Sequence, residues 1–176
     1  MRADYDRERM LRTFTLRDGA AVDIRPLEPD DSELLLQGFE GLSPASRYAR
    51  FLTAVPRLPK HWVDDLTDLD HRDREALAAS DGETGQGIGI ARYVRVEGEP
   101  NAAEFAIAIA DAWQGRGLGR ILLDELIGAA RANGIERLYG DVFANNERML
   151  GLGRTIGRDA HVGPPETGIV RLTVEL

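Results

Sequence analysis

Hydrophobic and polar residues change period several times along this chain, and each change predicts an element. Residues 13–27, TFTLRDGAAVDIRPL, hold two alternating runs on either side of Asp18-Gly19, a turn dipeptide, and so predict a β-hairpin. Leu34, Leu35, Leu36 and Phe39 then follow Asp30, Asp31 and Ser32, any of which can cap a helix that Gly41 and Pro44 would end. A second short helix is predicted in SPASRYARF, with Ser43 as cap and Pro44 in its first turn, and a third in KHWVDDLTDLD after the proline-marked loop VPRLP. Residues 74–80 and 87–97 read as strands joined by the glycine-rich turn DGETGQG. AAEFAIAIA (102–110) alternates strictly, with Phe105, Ile107 and Ile109 on one face and Glu104, Ala106, Ala108 and Ala110 on the other. The period then becomes helical: Leu118, Ile121, Leu122, Leu126, Ala129 and Ala130 form one stripe, ended by Gly134. A strand at 135–143, a short helix at 145–157 and a last strand at 168–176 complete a mixed α/β order.

Length and charge narrow what such a chain can be. At 176 residues it fits one domain, expected over 13–176 behind a flexible charged start at 1–12. Hydrophobic residues at 43% and charged residues at 30% are values of a soluble globular chain. Twenty-two Lys plus Arg against 30 Asp plus Glu give a formal charge of −8, so neither nucleic acid nor an anionic membrane is expected as a partner. MRADYDRERMLRTF lacks the apolar core of a signal peptide and no stretch approaches the roughly 18 apolar residues of a membrane span, so a cytoplasmic location is expected. The absence of cysteine excludes disulfides, thiolate metal sites and a cysteine nucleophile. A homodimer is compatible with the sequence, which does not itself specify an assembly.

The chemistry concentrates in WQGRGLGR (113–120). Its glycines at 115, 117 and 119 each cost about 1 kcal/mol against alanine in a helix, so the segment must turn sharply or let its backbone come close to something. A helix N-terminus presents unpaired N–H groups and the positive end of the helix dipole, which makes this turn an anion cradle with phosphate as the expected guest. It is not a dinucleotide fingerprint. The third glycine of G-x-G-x-x-G would fall on Arg120 counted from Gly115, or on Leu122 counted from Gly117, and no Gly-Lys-Ser/Thr follows. Close packing of strand on helix is the other explanation for the glycines.

Gln114-Gly115-Arg116-Gly117-Leu118-Gly119 resembles the Q/R-x-x-G-x-G/A motif of the GNAT superfamily of acyl-CoA-dependent N-acyltransferases, in the same strand-to-helix context. The resemblance covers roughly residues 13–176, and LSPASRYARF and LTDLDHRDREALAA are further similar to stretches of bacterial Pat-type protein-lysine acetyltransferases. It implies an α/β GNAT fold: a mixed, mostly antiparallel twisted sheet of about six to seven strands flanked by about four to five helices. It also implies acetyl-CoA as cosubstrate, without a metal. Its pyrophosphate would lie over Gln114, Gly115, Arg116, Gly117, Leu118, Gly119 and Arg120, and its pantetheine arm would run along Ile107, Ala108 and Ile109 as an added β-partner. Asn146, and less so Asn145, would bond the arm, although asparagine at a helix start is also an ordinary cap. The implied acceptor is a primary amine, a protein lysine first; a polyamine, amino acid or antibiotic amine is the alternative.

Glu104 stands out on the residues alone, because it shares its strand face with small side chains that leave room beside one carboxylate. A lysine amine has a pKa of about 10.4 and must lose a proton before it can attack a thioester. Pat-type relatives use a glutamate at this place on the strand, and Glu104 lies in the matching AEFA segment, where an apolar wall is expected to bury it. The other reading is a glutamate solvated on a strand or paired with an arginine. A backbone N–H near Ile109 is the expected donor to the developing oxyanion.

Many GNAT enzymes have N-x-x-A-x-x-x-Y-x-x-x-G-F in the last helix, the tyrosine protonating the leaving thiolate. Here Asn146 and Gly157 keep the spacing, but Gly153 replaces the tyrosine and Arg158 the phenylalanine. Either water reprotonates a thiolate whose pKa is near 8.5, or Tyr139 substitutes, or the domain is a non-catalytic acyl-CoA sensor. His61, His71 and His161 have no metal-like spacing and are expected at the surface or at helix ends. DLTDLDHRD (65–73) lacks the glycine and terminal glutamate of an EF-hand loop and reads as a solvated loop bordering the substrate entrance.

Overall fold

A computed structural model describes residues 11–176; of the start expected to be flexible, residues 1–10 lie outside the described residues. β1 (Arg12–Thr15) and β2 (Ala21–Pro26) form the predicted hairpin, whose turn takes Gly19 to a φ of 89°. Helices α1 (Ser32–Glu40), α2 (Pro44–Phe51) and α3 (Lys60–Thr67) precede β3 (Arg74–Asp81), β4 (Gly87–Val96) and β5 (Glu99–Ile109). A 3-10 turn at Asp111–Trp113 leads into α4 (Leu118–Ala132), followed by β6 (Arg137–Phe143), α5 (Glu147–Gly153), β7 (Asp159–Val162) and β8 (Ile169–Glu175).

Two helix starts show how local chemistry is divided. Ser43 caps α2 as predicted, its hydroxyl accepting from the Ser46 amide at 3.2 Å. Asp31 occupies the cap position of α1 but turns its carboxylate away from the helix. It accepts from both terminal nitrogens of Arg25 at 2.6 and 2.7 Å and from the Glu28 amide at 2.8 Å, so it ties the end of β2 to the loop instead.

The eight strands form one sheet in the order β1-β2-β3-β4-β5-β6-β8-β7, antiparallel at every pairing except β5 with β6. The count exceeds the expected six to seven because of β7. That edge strand has four residues, DAHV, with no hydrophobic run, and its extended form is set by pairing with β8. α4 and α5 cover one face of the sheet and α1 to α3 the other. α4 buries Leu118, Leu122, Leu123, Leu126, Ile127, Ala129 and Ala130, a wider stripe than predicted, as suits a helix lying flat on a sheet rather than on one neighbour. Phe105 is buried on the α4 face of β5, while Ala108 packs with Phe39, Leu42 and Val55 on the opposite side. Burying these side chains at about 25 cal/mol per Å² of apolar surface is the main force holding the layers together.

The sheet opens in one place. β5 and β6 pair only through Ala102–Glu104 with Arg137–Tyr139, after which β5 runs on to Ile109 and β6 to Phe143 with no ladder between them.

Candidate active site

The parting of β5 and β6 leaves a cleft of about 370 Å³ between β5, α2 and α5. The Ala110 amide donates to the Ile88 carbonyl on β4, so in this antiparallel ladder the main-chain groups of Ala108 and Ala106 also face β4. Those of Ile107 and Ile109 therefore face the cleft, where no strand takes them up. One is already used: Gln114 Nε2 donates to the Ile109 carbonyl at 2.9 Å, while its Oε1 accepts from Arg148 of α5. The Ile107 amide and carbonyl and the Ile109 amide remain as a short open edge for an extended ligand.

The glycine turn continues this edge. Gly115 has a φ of 73° and Gly117, which caps α4, a φ of 99°, both in the left-handed region that side chains disfavour. The Q/R-x-x-G-x-G/A motif asks for glycine only at 117 and 119, yet the backbone at 115 favours one too, although a Cβ there would meet nothing within 4 Å. At Gly119 the φ is ordinary, but a Cβ would stand 3.2 Å from Ile109 Cδ1 and from Leu152 Cδ2, two residues that line the cleft. Among the described residues, the amides from Gly115 through Arg120 have no protein acceptor; the first amide of this run to bond is that of Ile121, to the Gly117 carbonyl at 3.3 Å. Consecutive unpaired N–H groups at the start of a fifteen-residue helix carry partial positive charge that favours an anion there. Arg116 pairs with Asp18 and lies 4.1 Å from the Trp113 ring, and Arg120 pairs with Asp124 at 2.7 Å, so the two arginines of the turn are already answered by carboxylates.

Glu104 is the last residue of β5 paired to β6, opposite Tyr139 on β6 and Val94 on β4. The expected burial against an apolar wall is not found, because its strand face is open at this point and Glu104 is exposed. It makes no salt bridge or hydrogen bond among the described residues, although its charge reaches Arg171, and its exposure is what a glutamate solvated on a strand would show. Tyr139 does not line the cleft: its hydroxyl donates to Glu99 at 3.2 Å and accepts from Arg137 at 3.3 Å.

Comparison with known proteins places this geometry. The profile of the acetyltransferase (GNAT) family matches residues 42–157. The chain belongs to that family. It is 38% identical over 146 residues to the acetyltransferase PA5475 of Pseudomonas aeruginosa, covering 81% of this chain and 77% of that protein. With acetyltransferase Pat of Mycolicibacterium smegmatis it shares 31% over 134 residues, 76% of this chain but only 40% of the longer relative. Among solved structures, the GNAT domain of S. lividans PAT superposes with a TM-score of 0.86 at 35% identity, covering 94% of this chain and 97% of that one. The chain is thus an acyl-CoA-dependent N-acetyltransferase, and acetyl-CoA is the cosubstrate that the open edge and the amide turn have to fit.

As a GNAT domain it departs from the common last helix for a packing reason. A Cβ on Gly153 would lie 2.3 Å from Leu172 Cδ2, inside the core of β8, so the tyrosine position points away from the cleft. α5 presents Met149 and Leu152 to the cleft instead. Asn146 caps α5, its Oδ1 accepting from the Met149 amide at 3.1 Å, and it also lines the cleft, where its amide nitrogen has no partner among the described residues. Asn145 is exposed and outside the cleft lining. Ile107, Ala108, Ile109, Gln114 and Asn146 are thus brought together in the cleft, with Gly115 to Arg120 at its end and Glu104 on the other side, beyond Ala106. Sequence reasoning missed Met149 and Leu152, although Met149 three residues after Asn146 and Leu152 three after Met149 offered the signal, and missed Arg148 of α5 and Ser46 and Arg50 of α2.

Among the described residues no group of three or more His, Asp or Glu is arranged to hold a metal, and no helix is long and apolar enough to cross a membrane. His61 and His161 are exposed as expected, but His71 is partly buried, its Nδ1 2.9 Å from Glu75 Oε1. The acidic loop is organised by arginines and its own backbone: Asp70 accepts from the amides of Arg72, Asp73 and Arg74, and Asp73 pairs with Arg95 at 2.7 Å.

Proposed function

We propose that residues 13–176 act as one catalytic unit that moves the acetyl group of acetyl-CoA to a primary amine, a protein lysine first, by direct attack with Glu104 as general base. The observation that carries this reading is the placement of an exposed, unpaired carboxylate at the point where β5 and β6 part. From there β5 continues as the open edge that ends in the amide turn, so one strand aligns base, thioester and phosphate groups.

The pantetheine amides bond the Ile107 main chain as a third strand would, and the Asn146 side chain holds the arm from α5. The amides of Gly115 to Arg120 take the pyrophosphate. Pinned at both ends, the thioester lies beside Ala106 and Ala108, whose methyls leave room for an acetyl group and an incoming amine. A lysine amine enters protonated and gives its proton to Glu104, directly or through one water, before attack. The Ile109 amide, free of the sheet, donates to the carbonyl oxygen as it gains charge. Collapse of the tetrahedral intermediate expels a thiolate, near a pKa of 8.5, and the second proton of the attacking nitrogen passes through water to that sulfur, leaving amide and CoA thiol, so the missing tyrosine leaves no gap in the mechanism. Gly153 supported a non-catalytic sensor only while that position was read as facing the cleft; its contact with Leu172 removes that support.

Glu104→Gln tests the assignment. Acetyl transfer to lysine peptides should fall by about 10²- to 10⁴-fold while acetyl-CoA affinity holds, and the slope of rate against pH on the acid side should flatten. Unchanged transfer between about pH 6 and about 9 would remove Glu104 from the chemistry.

A further inference from the structure

Arg50 and Arg92 occupy the Glu104 face of the sheet without the counter-charges found elsewhere in this fold. Arg50, in the last turn of α2, lines both the cleft and a small apolar cavity of about 40 Å³ beside it; Arg92, on β4 opposite Ala106, lines the same cavity. Both are partly buried. Of the four other partly buried arginines among the described residues, three are answered by carboxylates, Arg25 by Asp31, Arg95 by Asp73 and Arg116 by Asp18, and the fourth, Arg47, donates to the Pro56 carbonyl and lies over the Phe39 ring. Among the described residues Arg50 and Arg92 make no salt bridge and no hydrogen bond. Arg50 meets only the Phe51 ring, at 4.8 Å, and the charges that reach Arg92 are those of Arg74 and, without a salt bridge, Asp65. Burial and the neighbouring Arg92 charge bring Arg50 down to about 10, so it remains cationic at neutral pH.

Two like charges held together in a desolvated wall cost folding free energy unless an anion joins them. We propose that Arg50 and Arg92 together receive a carboxylate carried by the acceptor. The reading rests on amine acetylation at Glu104 and adds to it the chemical class of the acceptor. The geometry suits it: the row of Arg92 and Ala106 lies two residues from Glu104 on the same sheet face, about 7 Å along the strand. An amine at Glu104 and a carboxylate at the guanidinium pair fit a molecule that carries both groups a few bonds apart. The cavity walls of Leu34, Phe39, Phe51 and Leu58 lower the local dielectric and strengthen the pairing. The carboxylate has two sources, an acidic side chain beside a protein lysine or the carboxylate of a free amino acid.

Matched acceptors separate the sources: a lysine peptide with Glu or Gln near the lysine, and a free amino acid with its amide, each assayed with the unmutated protein, Arg50→Met and Arg92→Met. In one pair the carboxylate member should show a KM at least about tenfold lower, a preference lost in both Met variants. Whichever pair responds names the source. Equal KM values in both pairs, or a preference that survives both substitutions, would overturn the proposal. So would a loss of preference for succinyl-CoA over acetyl-CoA in the variants, since the carboxylate would then belong to the donor. Calorimetry with glutarate and glutaramide on the unmutated protein needs no substitution and no turnover. Binding of glutarate alone supports the pair even if no amine is acetylated, and equal or absent binding sinks it.

Discussion

Valine at Gly119 separates the two explanations of the glycine turn more cleanly than any change at Gly117. Because the φ at 119 is ordinary, the substitution carries no backbone strain, and valine is a better helix former than glycine by a few tenths of a kcal/mol. Its Cβ would stand 3.2 Å from the ends of the Ile109 and Leu152 side chains, so the two methyls project between β5 and α5, where the ligand must pass. Displacing a phosphate from two amides of the cradle removes charge-assisted hydrogen bonds of about 1.5–3 kcal/mol each, together about 3–6 kcal/mol, or roughly 10²- to 10⁴-fold in the acetyl-CoA dissociation constant.

Gly115→Ala should do the reverse. At a φ of 73° alanine costs about 1–2 kcal/mol of stability, lowering Tm by about 2–8 °C in a chain of this length, yet its Cβ meets nothing and the amides stay in place. Gly117→Ala, at the cap itself with a φ of 99°, should lose both. Titration calorimetry with acetyl-CoA beside a thermal melt of each free protein reads affinity and stability independently. Three variants with equal affinity would mean the glycines serve strand-to-helix packing, and the phosphate cradle would have to be abandoned.

Three further outcomes follow from other contacts. Gly153→Tyr should destabilise the fold by about 1–3 kcal/mol without raising kcat, because the ring is driven into Leu172 rather than toward the thioester; a gain in kcat in a well-folded variant would show that α5 can present an acid after all. Asp31→Asn should cost about 1 kcal/mol at neutral pH once solvent screening of the Arg25 pair is allowed for. Since Arg25 first and the Glu28 amide also hold the Asp31 carboxyl below its ordinary value, that stability is present above about pH 4 and lost as pH falls through the folded value, so denaturation midpoints of the two proteins should converge in acid. Asn146→Ala should weaken acetyl-CoA binding and also lower Tm by a few degrees through loss of the α5 cap, whereas Asn146→Asp should restore the cap alone; recovery of both by Asp would assign Asn146 to capping only.

What could be read in the sequence was whatever depends on near neighbours. Period two in 102–110, the helical stripe after 118, the Ser43 cap and the Asp18-Gly19 turn each need only a few adjacent residues, and all appear where expected. Beyond them, placement depends on partners far along the chain. β7 is a strand because β8 pairs with it, Gly153 is glycine because Leu172 fills its space, and Asp31 leaves its helix for Arg25. The candidate site divides along the same line. The proposed cradle, edge and base lie within residues 104–120, one strand and the turn that follows it, so a single stretch of sequence could nominate them; Arg148 and Leu152 reach the cleft from α5.

Arg50 and Arg92 mark the limit of such reading. Each stands in an ordinary amphipathic context, one on a short helix and the other on a strand, and 42 positions separate them. Neither residue is informative until the register of β4 against β5 sets Arg92 opposite Ala106 and α2 lays Arg50 over the same cavity. What then becomes visible is a missing counter-charge. A sequence cannot display that, since the chain holds 30 acidic residues and nothing in their order says which of them are partners. The fold sends those carboxylates elsewhere and leaves the two guanidinia beside the one unpaired carboxylate on β5, which is the arrangement a zwitterionic acceptor requires and a simple alkyl amine does not.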